Sequence, residues 1–203
     1  MNILVKRLII YVSGLVLVAL GIALAIRAGI GTGAWDALNV GLEKNVGLTV
    51  GSWVILVGVI MVLINALWMW TKPEFSSLIA VLIIGPFADA WLWLISVEPR
   101  HFLAQLLLFL AGLCSTALGL AVYLQAGLTP TPLDRFMYVI SAKTGLSLGA
   151  SKTLAECLAL VLAWSLDGPI GLGTLLLTFL VGPLLQFFMS VVPLRPDDAK
   201  PSR

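Results

Sequence analysis

Six stretches of apolar residues, approximately 8–27, 50–70, 76–97, 102–125, 148–166 and 171–193, take up most of the 203-residue chain. Each approaches the roughly 20 helical residues that cross about 30 Å of hydrocarbon at about 1.5 Å per residue. Lipid offers no water to exposed backbone groups, so runs of this kind cross as helices that satisfy their own N–H and C=O. Only 11% of the residues are charged against 60% hydrophobic, too few to coat a soluble domain of this size. The expected class is an all-α polytopic membrane protein. The first run follows Lys6 and Arg7, as a signal peptide would, but it outlasts a cleavable core of about 7–15 residues and is read as a retained span. Trp53, Trp68, Trp70, Trp91, Trp93 and Trp164 fall towards span ends, where an interfacial belt would hold them. The tail 194–203 is polar and reads as a cytoplasmic extension.

The chain also resembles itself. Pairing residue i with i+98 from Ala19 to Gly51 gives ten identities in 33 positions, among them Ala28, Gly29, Asp36, Gly47 and Gly51. Dropping one residue brings Gly85-Pro86 into register with Gly182-Pro183. Two related halves, about 8–97 and 102–193, are expected within one membrane domain, since either half alone would expose its packing faces.

Between the first two spans of each half lies a short polar segment, 34–46 and 132–144. Thirteen helical residues reach only about 20 Å, too little to cross. Each is therefore expected to dip into the membrane or lie at its edge. Each half then crosses three times, and an odd number inverts the second half relative to the first, giving 3+3 inverted repeats. The alternative is eight crossing helices in parallel 4+4 repeats. With the N-terminus cytoplasmic, the six-span arrangement puts nine Lys and Arg inside and three outside. The eight-span arrangement exchanges Lys44 and Arg100 for Lys72 and Arg135 and keeps the same ratio. The localisation expected is the inner membrane of a bacterial cell, with both termini cytoplasmic.

The short helices carry the first candidate site. With Gly33 and Thr131 as N-caps, Asp36 and Asp134 fall at the third helical position, where a carboxylate can accept backbone N–H bonds and oppose the positive end of the dipole. Pro132 suits the first helical position, and Gly31 and Gly33 allow a sharp turn and a close approach. That capping account needs no ligand. The same geometry would also serve a site, because a helix N-terminus inside a membrane protein attracts anions, and the two aspartates could organise a shared cavity or exchange protons. Trp35 stands beside Asp36. Glu156 lies near the centre of the fifth span and Asp89 three residues past Pro86. Intramembrane acids usually face protein or water and mark function. Lys152 is one turn before Glu156, so an ion pair is the plain structural account. Arg27 and Gln125 are repeat partners at span ends, and Gln186 occupies the repeat position of Asp89. Pro86 and Pro183 interrupt helix hydrogen bonding at matching places, as packing features or as hinges.

Other functions lose ground on the same residues. A net charge of +2 without a basic cluster gives no nucleic-acid surface. Cys114 and Cys157 sit in apolar runs without metal-ligand spacing and read as small core residues. His101 lies in a connection and cannot form a metal site or triad alone. Without a paired-carboxylate, metal or phosphate-loop motif, the chain is not expected to be an enzyme or to need a cofactor or metal.

The stretch "GIGTGAWDALNVGLEKNVGLTVGSW", with Gly31, Gly33, Trp35, Asp36, Gly41, Leu42, Gly47 and Gly51, resembles the YczE/YitT-like bacterial membrane proteins. Their pattern carries a proline before Trp-Asp. Ala34 stands there in this chain, while the second half has Pro132 but no tryptophan. The resemblance implies a polytopic bacterial inner-membrane protein and brings no substrate or site residues with it. Architecture then sets the functional expectation. A transporter or permease for a small solute comes first, with an anionic solute and proton coupling as its expected forms. A non-transporting membrane accessory protein that stabilises or localises a partner complex is the alternative. A chain this small could also work as a homodimer.

Overall fold

The computed structural model describes residues 3–193. It is all helical there, with eight α-helices, a short 3-10 turn and no strand among the described residues. The helices are α1 (Ile3–Ala28), α2 (Ala34–Val46), α3 (Val50–Met69), α4 (Leu78–Leu94), α5 (Phe102–Gln125), α6 (Pro132–Thr144), α7 (Leu148–Ser165) and α8 (Leu172–Val191); the 3-10 turn Phe75–Ser77 leads into α4. Six are long and apolar enough to cross a membrane, the α4 span counted from Phe75, and they match the six apolar runs. The first begins at Ile3, so Lys6 and Arg7 belong to its opening turns. The polar tail 194–203 lies outside the described residues.

Local chemistry explains where these helices start. Thr49 and Ser147 cap α3 and α7, their hydroxyls accepting from the backbone N–H of Ser52 at 3.1 Å and Ala150 at 3.2 Å. Thr131 caps α6 in the same way, followed by Pro132 at the head of the helix. Both α2 and α6 have 13 residues, about 20 Å of helix at 1.5 Å per residue.

The centre of the molecule is the pair α1 and α5, which run antiparallel. Gly14 packs on Gly119 and Gly21 on Gly112, so closely that a Cβ on Gly14 would stand 2.8 Å from the Gly119 carbonyl oxygen, and one on Gly21 2.7 Å from that of Gly112. Glycine is what lets two backbones meet like this where no hydrophobic force drives helices together in lipid. Between these contacts the Ser115 hydroxyl donates to the Leu17 carbonyl at 2.9 Å, and Tyr11 meets Tyr123 edge-on with ring centroids 5.9 Å apart. Further contacts seat α4 on α1 and α8 on α5, while α2 packs on α3 and α7, and α6 packs on the same two helices. One contrast stands out: α3 and α4 pack together, but α7 and α8 barely touch.

Cys114 and Cys157 are both exposed, which corrects the expectation that they are core residues. In α5 the helical turn sends Leu113 and Ala117 inward and Cys114 outward. A thiol is apolar enough to face lipid without penalty.

Candidate functional site

A cavity of about 230 Å³ lies among the first seven helices and takes no residue from α8. The first turns of both short helices open onto it, with Trp35, Asp36 and Asn39 from α2 and Leu133 and Asp134 from α6, together with the cap residue Thr131. Lys152 and Glu156 enter from α7, and Tyr123 and Thr116 from α5. Apolar side chains fill the remaining wall, among them Val18 and Ile22 of α1 and Val54 and Val57 of α3. Val18 and Ile22 lie about 9–15 Å along α1 from its Ala28 end at 1.5 Å per residue. The cavity is therefore deep in the helix bundle, and its wall holds seven pairs of residues 98 positions apart, including Asp36 with Asp134, Val18 with Thr116 and Val54 with Lys152.

The two aspartates live in different surroundings. Asp134 is held by hydroxyls: Tyr123 donates to Oδ2 at 2.6 Å and Thr131 to the same oxygen at 2.7 Å. The Asp134 backbone N–H in turn donates to the Thr131 hydroxyl at 3.1 Å. Its carboxylate is thus part of the helix start. Asp36 has neither donor, because Gly33 stands at the Thr131 position and Ala25 at the Tyr123 position. Gly33 is the N-cap of α2 and provides no side-chain cap, and no described residue gives the half-buried Asp36 carboxylate a hydrogen bond or ion pair. Asn39 is 3% exposed and its amide oxygen has no partner. It follows Asp36 by three residues, so the two share a helix face. Trp35 sits edge-on to Phe136 with centroids 6.4 Å apart. Opposite, Lys152 and Glu156 form the ion pair their spacing suggested, at 3.7 Å.

The other candidates are elsewhere. Asp89 of α4 caps α3, accepting from the Thr49 hydroxyl at 2.6 Å and the Gly51 N–H at 2.8 Å. Arg27 ties the end of α1 to the end of α4, donating to the Leu92 carbonyl and pairing with Glu98 at 3.2 Å. Gln125 donates to the Ala121 and Val192 carbonyls, both at 2.9 Å. Gln186 is exposed on α8. Gly31, at φ +106°, packs on Gly171 in the α7–α8 connection and leads the chain into α2. Asn39 was missed by the sequence reading, although its three-residue spacing from Asp36 is a usable signal. Among the described residues no group of three or more His, Cys, Asp or Glu is placed to hold a metal.

Fold and cavity together define a multipass, all-α membrane protein with a largely apolar chamber into which a few polar side chains project at the heads of two short helices. The chain belongs to a family of unknown function, DUF6198, whose model matches residues 5–190. It is 41% identical over 184 residues to the Bacillus subtilis "Uncharacterized protein YyaS", covering 90% of this chain and 92% of that one. It is 33% identical over 185 residues to the "Uncharacterized membrane protein YczE" of the same organism, covering 91% of this chain and 86% of that one. A third relative, an "Uncharacterized protein" of Haemophilus influenzae, is 24% identical over 193 residues, with 94% and 87% covered. No solved structure matches.

Proposed function

We propose that the chain is a transporter or permease for a small solute, resident in the bacterial inner membrane with its N-terminus cytoplasmic and built from two inverted triple-crossing halves, 8–97 and 102–193. The inversion is supported by the α1–α5 contact. Repeat partners are 98 positions apart, so the partner of Gly14 is Gly112 and that of Gly21 is Gly119. Gly14 packs on Gly119 and Gly21 on Gly112, the exchange that a two-fold axis produces when residue i meets j and j meets i. The Ser115–Leu17 bond joins a residue to its own repeat partner, as expected on the axis. Parallel halves would instead run α1 and α5 in the same direction.

The observation that carries the function is the cavity between the two halves, where the unpartnered Asp36 carboxylate and the buried, unpartnered Asn39 amide oxygen share one face of α2 deep in the helix bundle. Such groups are costly to keep in lipid, and in inverted-repeat transporters the solute sits near the midplane where short or broken helices meet. Rocking one half against the other would open this chamber to either face in turn. Three carboxylates and one ammonium line it, so the balance of charge turns away from the anionic solute that the helix N-termini suggested. Asp36 is the group proposed to couple to protons.

Uptake by proteoliposomes tests this. The wild-type protein is expected to move a subset of a small-metabolite panel, with Asp36→Asn abolishing flux while the variant still inserts and elutes as a folded particle. Full rescue of a deletion strain by an Asp36→Asn, Glu156→Gln double variant would instead favour a non-transporting accessory role.

A further inference from the structure

Resting on the cavity being a solute site, we infer that its ligand is a small organic cation, an amine or guanidinium, bound by Asp36 and Asn39 in exchange for a proton. The argument is one of unmatched acceptors. Asp134 is satisfied by Tyr123 and Thr131, and Glu156 has Lys152. Two acceptors remain on one face of α2: the Asp36 carboxylate, with no described donor, and the Asn39 oxygen, buried to 3% exposure and unpartnered. A buried acceptor without a donor is destabilising until something supplies one. The missing group is thus a donor, and beside a carboxylate the favoured donor is positive.

An anion has no comparable place. It would join three carboxylates in a chamber whose single ammonium is already engaged by Glu156. A bare metal ion fits poorly as well, because hard cations collect six or more oxygens and, besides Asp36 and Asn39, α2 gives the cavity only Trp35. Trp35 beside Asp36 offers an aromatic surface that suits an alkylated ammonium or guanidinium, and the cavity volume of about 230 Å³ suits a molecule of that size.

Proton and cation then compete for one carboxylate. Binding the cation deprotonates Asp36 and sends one proton to water; releasing the cation returns it. The charged and titratable groups that face Asp36 across the cavity are Lys152 and Glu156 on α7, Asp134 on α6 and Tyr123 on α5, while the walls from α1, α3 and α4 contribute Val18, Ile22, Val54, Val57, Val81 and Ile84. With Asp134 and Glu156 each engaged, Asp36 is the acid free to trade a proton.

The full chain in detergent is titrated calorimetrically with ethanolamine, guanidinium, methylammonium and tetramethylammonium, and separately with phosphate, acetate and sodium. At least one organic cation is expected to bind, releasing one proton per cation in buffers of different ionisation heat. Its affinity is expected to fall about tenfold per pH unit of acidification below the Asp36 titration. Asn39→Leu is expected to weaken it about 10- to 100-fold, and Asp36→Asn to remove both binding and proton release. Because proton release is read on the wild type, a misfolded variant does not blunt the test. Failure of all four cations to bind, binding without proton release, or preference for an anion or sodium overturns the proposal. Transport is read apart from it: a cation that binds with proton release but never crosses a proteoliposome membrane leaves the cation site standing and removes the transporter. Anion flux without cation binding does the reverse.

Discussion

Asp36 and Asp134 occupy the same turn of two short helices, and two hydroxyls separate their fates. Tyr123 and Thr131 make Asp134 an internal brace of α6, whereas Ala25 and Gly33 leave Asp36 without one. Removing a hydroxyl from the braced site should therefore cost stability. Tyr123→Phe is expected to lower the unfolding free energy by about 1.5–3 kcal/mol, the usual worth of a hydrogen bond to a charged group, read from thermal denaturation in detergent. An unchanged melting curve would mean that Asp134 is not held by that bond. The 98-residue offset shows Gly33 against Thr131 and Ala25 against Tyr123, but only the fold shows that the Tyr123 hydroxyl reaches Asp134. The role of Asp89 was not readable. Its partners Thr49 and Gly51 lie 40 and 38 positions earlier, and only the packing of α4 on α3 brings them together. An intramembrane acid that caps a neighbouring helix looks, in sequence, the same as one that binds a ligand.

The same Gly-Pro pair sits in α4 and α8, yet the two helices meet different neighbours. Gly85 faces α3, where a Cβ would come within 2.6 Å of the Gly51 carbonyl oxygen, while a Cβ on Gly182 would meet nothing within 4 Å. Opposite signs follow from one substitution. Gly85→Ala should push α4 off α3 and cost at least about 1–3 kcal/mol, as overpacking does. Gly182→Ala should stabilise by about 0.5–1 kcal/mol, since alanine loses less backbone freedom in a helix. Paired melting curves of the two variants check this, and equal shifts would contradict the open seam between α7 and α8. Hydropathy placed the spans well because lipid imposes one requirement on every crossing helix. It gave no sign of that seam, because a lipid-facing and a helix-facing leucine satisfy the requirement equally. The outward turn of Cys114 and Cys157 escaped notice for the same reason.

At the scale of the molecule the proposed inversion of the halves has a consequence that charge counting cannot reach. If α2 and α6 stop short, the chain crosses at α1, α3 and α4 before reaching the α4–α5 connection, so Gly47 and Glu98 share the outer face and Lys72 lies inside with Gly145. If all eight helices cross, Gly47 and Glu98 move to the cytoplasmic side and Lys72 moves out, while Gly145 stays where it was. The length of α2 favours the first case, since its 13 residues give about 20 Å of helix against about 30 Å of hydrocarbon. So does the opposed run of α1 and α5, which only an odd number of crossings per half allows between repeat partners. Single cysteines at these four positions, in a background with Cys114 and Cys157 replaced by alanine, can be probed in intact cells with an impermeant maleimide. Gly47→Cys and Glu98→Cys are expected to label directly, and Lys72→Cys and Gly145→Cys only after permeabilisation. Direct labelling of Lys72→Cys with protection of both Gly47→Cys and Gly145→Cys would make the halves parallel. That result would carry α2 through the bilayer and leave Asp36 and Asp134 without a common chamber to face.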